Sequence, residues 1–190
     1  NNMLNAFFNP KSIAVIGASR TRGKLGNVIF KNLRDHGFTG KLLPVNPKGG
    51  TLYGKKIYTS VDKLPQNVDL AIIVIPAQFV NDVLVVCGKK KIKAAIIITA
   101  GFSESGEKGR EREKEILATA QTYSIRLLGP NCLGLLSPQT KVNASFAEGG
   151  HGTGVVVDRT VAHNDTPQVE LLLRYSTRRH SNGYLAPDTA

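Results

Sequence analysis

The sequence of 190 residues contains no tryptophan, one methionine and two cysteines, and aromatic residues make up only 6% of it. Two cysteines cannot build a disulfide framework, and neither sits in a C-x-x-C pair of the kind that binds zinc or exchanges disulfides. That usage suits a reducing, cytoplasmic setting. No apolar run approaches the roughly 18–20 residues that cross a bilayer, so no membrane partner is expected. The first residues show no basic-then-apolar pattern, and nothing in them argues for export. Acidic residues are scarce as well: 14 Asp and Glu stand against 25 Lys and Arg, a net charge of +11. The imbalance is localised. Residues 1–147 hold 21 basic and 9 acidic side chains, whereas residues 148–190 hold 4 and 5. A basic domain suits an anionic ligand, but nucleic acid is a poor fit, because the charge is not interleaved with aromatics.

Hydrophobic residues make up 41% and charged residues 21%, which supports a packed core in a chain of about one domain. Strand-like and helix-like segments alternate along its first three quarters. Apolar runs at 12–17, 41–46, 69–75, 93–99 and 125–129 read as buried strands, and Pro44 marks the second as irregular. Helical spacing appears at 26–36, 77–90 and 107–124. The first carries Val28, Ile29 and Leu33, with Gly37 placed to stop it. The second lines up Phe79, Val80, Val83, Leu84, Val86 and Cys87 on one stripe, and the third faces Ile116, Leu117 and Ala120 inward. This order predicts an α/β fold: a Rossmann-like, doubly wound parallel sheet of about five strands with right-handed crossovers. The pattern supports a domain over 1–147, followed by an irregular C-terminal appendage over 148–190, where Gly149, Gly150, Gly152 and Gly154 surround His151.

In open α/β sheets, ligands bind beyond the carboxyl ends of the strands, where the strand order switches. Glycine, proline and small polar residues gather at those ends. The first turn, G-A-S-R-T-R-G-K-L-G, carries Gly17, Gly23 and Gly26. Glycine permits positive φ and close backbone approach, and the helix start that follows offers amide groups to a phosphate. Arg20, Arg22 and Lys24 add cations beside it; an ordinary tight turn has the same glycines. The second strand ends in V-N-P-K-G-G. An NAD-binding fold normally has an acid about 20 residues after its glycine loop to hold the ribose hydroxyls. Here Asn46 and Lys48 stand instead, and a cation suits a ribose phosphate such as those of NADP and coenzyme A. A solvated surface lysine is the plain alternative.

The later strands end in I-P-A-Q-F-V, I-T-A-G-F-S-E and L-L-G-P-N-C-L-G. With F-F-N-P-K-S-I-A-V-I-G-A-S at the start and N-A-S-F-A at the end, these motifs run in order from residue 7 to residue 147. The set resembles the CoA-binding domain of the NDP-forming acyl-CoA synthetases, which include succinyl-CoA synthetase α subunits and ADP-forming acetyl-CoA synthetases. The resemblance implies coenzyme A as ligand. It implies a phosphate loop over Gly17, Ala18, Ser19, Arg20, Thr21 and Arg22, and a CoA-binding lysine at Lys48. It places Pro76 and Ala77 beside the nucleotide, Ile98, Thr99 and Ala100 along the pantetheine arm, and Asn131 and Cys132 near the thiol. A nucleophilic role for Cys132 would need a thiolate and a base, and no motif supplies one, so a lining or structural role is expected. Cys87 reads as core.

In that family, phosphate converts acyl-CoA to an acyl phosphate, and a histidine in a second domain relays the phosphoryl group to ADP. No S-Q-S-G-type segment or ATP-grasp domain is recognisable here, and His36, His151, His163 and His180 are not assigned as the phosphocarrier. The expected partners are therefore CoA or acyl-CoA, and further domains or an ATP-grasp subunit. No catalytic residue or metal site is assigned. Residues 174–187, R-Y-S-T-R-R-H-S-N-G-Y-L-A-P, resemble the C-terminal stretch of insertion-sequence transposases, one residue short between His180 and Gly183; a native linker or a frame change is the alternative. A non-catalytic module that senses CoA or a dinucleotide remains open beside the ligase reading, as does an NADP-dependent oxidoreductase.

Overall fold

The computed structural model describes residues 5–146. The expectations for 148–190, including the tail resemblance and three of the four histidines, lie outside the described residues. A short helix α1 (Asn5–Phe8) leads into strand β1 (Ser12–Ile16), and helix α2 (Leu25–Asp35) and strand β2 (Lys41–Val45) follow. A small hairpin, β3 (Thr51–Leu52) and β4 (Lys55–Lys56), precedes β5 (Leu70–Ile73). Then come α3 (Val80–Lys89), β6 (Ala94–Ile97), α4 (Glu107–Tyr123), β7 (Arg126–Leu128) and a second hairpin of β8 (Gly134–Ser137) and β9 (Val142–Ser145).

The main sheet is five-stranded and parallel in the order β2-β1-β5-β6-β7. Both of its faces are covered, which is why the strands read as unbroken apolar runs. Ile13 and Val15 of β1, with Leu70 and Ile72 of β5, pack toward α2 residues Ile29, Phe30 and Leu33. Ala14, Ile16, Ala71 and Ile73 pack on the opposite face, toward Val80, Leu84 and Cys87 of α3 and Ile116 and Ala120 of α4. Gly37, at φ +79, ends the α2 turn, and its N–H donates to the Arg34 carbonyl.

Two local expectations differ from the structure. Pro44 lies in a regular strand, paired with Val15. The strand is at the sheet edge, and the Pro44 carbonyl accepts from the Tyr58 N–H at 2.9 Å, so the missing proline donor costs no ladder bond inside the sheet. Phe79 is not on the buried stripe of α3. It ends a 3-10 turn (Ala77–Phe79) and is 53% exposed. The crossover from β2 to β5 has no α-helix; the β3–β4 hairpin and a 3-10 turn (Val61–Lys63) make it, burying Ile57, Val61, Leu64 and Val68. Beside α2, the β8–β9 hairpin completes the cover of that face with Leu135, Val142 and Ala144.

Candidate functional site

In a parallel sheet all carboxyl ends lie on one edge. Here that edge carries Gly17 after β1, Asn46 after β2, Val74 after β5, Ile98 after β6 and Gly129 after β7. The order reverses between β1 and β5, which sets Gly17 opposite Val74. Gly17 adopts φ +96, and a Cβ there would lie 2.0 Å from the Val74 carbonyl oxygen. Gly26, in the first turn of α2, is equally constrained: its Cβ would lie 1.9 Å from the Gly17 oxygen. Two glycines thus let the helix start press directly on the strand end.

The turn between them is anchored at its base and open at its tip. The N–H groups of Gly17 and Ala18 donate to the Val45 carbonyl at 2.9 and 3.2 Å, and Ala18 is fully buried. Asn46 Nδ2 donates to the Ala18 oxygen at 2.9 Å, and Asn27 Nδ2 donates to the Ser19 oxygen at 2.8 Å. Ser19 is half-buried, and its Oγ accepts the Thr21 N–H at 3.1 Å. Arg20, Thr21, Arg22 and Lys24 are exposed, and no side chain caps the start of α2. Amide groups of that first turn and exposed cations therefore share one segment, a suitable arrangement for a phosphate.

The turn after β2 stands beside this loop. Asn46 Oδ1 accepts the Lys48 N–H at 2.9 Å and the Gly49 N–H donates to the Asn46 carbonyl at 2.9 Å, while Gly49 and Gly50 take φ +58 and +91. The Arg20 guanidinium extends across to Gly50, where Nη1 would be 3.1 Å from an added Cβ. Lys48 is exposed. Two expected cation-bearing segments, with Arg20 and Lys48 28 residues apart in the chain, are thus neighbours.

The remaining expected residues divide by exposure. Pro76, Ala100 and Asn131 are exposed at the edge, and Ala77 is half-buried. Thr99 uses its hydroxyl internally, donating to the Ile75 carbonyl at 2.7 Å and accepting the Ile75 N–H at 3.2 Å. Ile98 is 4% exposed and belongs to the core. Cys132 is 3% exposed, and its Sγ donates to the Ile97 carbonyl at 3.4 Å. Asn131 takes φ +54, and its N–H donates to the Thr99 carbonyl at 3.0 Å. Burial pushes the Cys87 thiol up to about 12, in keeping with an apolar core position. Among the described residues, no three His, Cys, Asp or Glu side chains form a metal-binding group. Leu25, Phe79 and Leu133, all exposed and all following strand ends, add an apolar component at this edge; sequence patterning had put Phe79 on a buried stripe and did not single out the other two.

The sequence profile of the family described as the CoA binding domain matches residues 11–138, a span that holds β1 through β8 and every one of these loops. The chain belongs to the CoA binding domain family. Coenzyme A is the ligand of this domain, and the fold is the Rossmann-like one shared with ADP-forming acetyl-CoA synthetases. The α subunit of acetate–CoA ligase [ADP-forming] II from Pyrococcus furiosus is 49% identical over 144 residues, covering 76% of this chain and 31% of that protein. A 4-hydroxybutyrate–CoA ligase [ADP-forming] from Nitrosopumilus maritimus is 48% identical over 139 residues, covering 72% of this chain and 20% of its own. The solved acetyl-coenzyme A synthetase 1 of Ca. Korarchaeum cryptofilum, in complex with phosphate and ADP, superposes with a TM-score of 0.73 at 42% identity. That superposition covers 77% of this chain and 31% of that one. The chain therefore spans about a third or less of the length of these relatives. No described helix is long and apolar enough to cross a membrane.

Proposed function

We propose that this chain is the CoA-holding part of an ADP-forming acyl-CoA synthetase, in which acyl-CoA, ADP and phosphate interconvert with acid, CoA and ATP. One observation carries the reading: the uncapped start of α2 and the Arg20–Arg22 tip follow β1, where the strand order reverses, and Arg20 reaches the glycine turn beside Lys48. A CoA molecule presents a pyrophosphate and a 3′-phosphate, and the two loops match two separate anionic groups. The backbone of Gly17–Arg22, with Arg20 and Arg22, holds the pyrophosphate. Lys48 takes the 3′-phosphate. Pro76, Ala77 and the exposed Phe79 border the nucleotide, and Ala100 and the backbone at Ile98 and Thr99 guide the pantetheine arm toward Asn131. Cys132 acts through packing and its bond to the Ile97 carbonyl, without attacking the thioester.

In such an enzyme this domain contributes by positioning: it fixes the thioester so that its carbonyl meets phosphate in a productive orientation. The phosphoryl relay and nucleotide binding belong to other domains or to an ATP-grasp subunit. The two buried thiols suit a cytoplasmic location. Calorimetric titration of the purified chain with CoA, dephospho-CoA and NADP tests the reading. CoA should bind most tightly. Tighter binding of NADP than of CoA would replace it with an oxidoreductase function.

A further inference from the structure

Two buried or half-buried carboxamides lie behind the candidate site, and each uses both of its ends. Asn46 donates Nδ2–H to the Ala18 carbonyl at 2.9 Å and accepts the Lys48 N–H on Oδ1 at 2.9 Å. Asn27, only 3% exposed, donates to the next carbonyl, Ser19, at 2.8 Å and accepts the Tyr53 hydroxyl on Oδ1 at 3.2 Å. In both cases the amide end holds the loop after β1, and the oxygen end holds the excursion after β2. Tyr53 is itself fixed: its ring stacks near Phe30 at 6.2 Å, and the Arg34 guanidinium lies 4.0 Å above it. Consecutive loop carbonyls are thereby tied inward, away from the anionic ligand that they would repel.

Asn46 occupies the place where an acid in an NAD-binding fold would receive ribose hydroxyls. Its carboxamide is committed to Ala18 and Lys48, so it acts through the two loops. From this geometry we infer that Asn46 is the positioning residue that couples the phosphate loop to the Lys48 turn, so that the two cation-bearing segments act as one preorganised surface, with Asn27 as a second brace. The inference rests on the CoA reading for its ligand and on the free chain for its geometry. A preformed surface avoids the cost of ordering two loops at the moment of binding.

Two variants separate the two ends of Asn46. In Asn46→Ser the hydroxyl still accepts the N–H two residues on, as in an ST-turn, but does not reach the Ala18 carbonyl. In Asn46→Ala both ties are lost. Without ligand, hydrogen exchange at the bonded amides of Gly17, Ala18 and Thr21 should quicken about tenfold or more in Asn46→Ser, while Lys48 stays protected. Asn46→Ser should weaken CoA and dephospho-CoA by the same factor, about 5- to 10-fold, since both carry the pyrophosphate. Asn46→Ala should weaken CoA by a further factor of about 5 that dephospho-CoA does not share. A residue that only stabilises the fold would lower the melting temperature without changing that ratio. Unchanged exchange at residues 17–21 in Asn46→Ser, or equal ratios in the two variants, overturns the inference. Quickened exchange in a chain that binds no CoA upholds the loop tie and overturns the coenzyme reading instead.

Discussion

Gly17 and Gly23 are both left-handed, at φ +96 and +81, yet their surroundings differ. A Cβ on Gly17 would enter the Val74 carbonyl, while a Cβ on Gly23 would meet nothing within 4 Å. Gly17→Val must therefore push β1 and β5 apart, and the expected result is loss of CoA binding together with a lower melting temperature. Gly23→Ala carries only the backbone cost, on the order of 1–2 kcal/mol, and should lower the melting temperature by a few degrees. Retained CoA affinity in Gly17→Val, read by calorimetry, would move the site elsewhere. Lys48 tests the second anion. A charged contact of this kind is worth on the order of 1–3 kcal/mol, or roughly 5- to 150-fold in affinity. Lys48→Ala should weaken CoA by that factor and dephospho-CoA far less, and binding should become less sensitive to salt. Equal weakening of both would assign Lys48 to loop structure or to the pyrophosphate.

Strand ends meet one another through Thr99. Its hydroxyl joins β6 to the segment after β5 by accepting from the Ile75 N–H and donating to the Ile75 carbonyl. Thr99→Val keeps the shape and removes both bonds, taking the hydroxyl partner from the Ile75 N–H and carbonyl, so unfolding in urea should show a loss of about 1–3 kcal/mol. Helix α3 supplies a different test. Cys87 is fully buried on its inner face, and burial pushes its thiol from 9.0 to about 12. The native chain should be inert at Cys87 to thiol reagents at pH 8 and react there only on unfolding. The sign with pH follows from the same shift. Between pH 9 and 12 the unfolded chain releases this proton and the folded chain keeps it, so Cys87 contributes a loss of stability as pH rises through that window. Modification of the native protein at a rate independent of denaturant would place Cys87 outside the core.

At the scale of the molecule, residues 5–146 present one parallel sheet with cover on both faces, and the family match ends at residue 138. The domain boundary proposed at residue 147 predicts that limited proteolysis leaves a fragment ending near it. Early cleavage inside residues 70–130 would count against that boundary. The domain also carries its basic excess into the candidate site, whose exposed side chains include Arg20, Arg22, Lys24 and Lys48. CoA affinity should accordingly fall as ionic strength rises, since exposed charges are screened over roughly 10 Å at 0.1 M salt.

Five apolar runs, three amphipathic stretches and glycine or proline at each run's end were enough to determine the sheet, its parallel sense and the edge that bears the candidate site. Those features are local, and the burial of both sheet faces imprints them on neighbouring residues. The identity of the ligand came from motif order along the chain, because spacing by itself left CoA and NADP open. Tertiary structure decided the rest. Asn46 reaches a carbonyl 28 residues away, and Thr99 one 24 residues away, and no periodicity records such a bond. Asn27 leaves only the trace of a polar residue on a buried helix face. Phe79 matches the apolar stripe of α3 yet precedes the helix in a 3-10 turn, whose different rotation per residue sends the ring to solvent. The two hairpins were not legible because strands of two to four residues are too short for alternation to register, and what holds them is tertiary packing, of β9 against α2 and of β4 against β2.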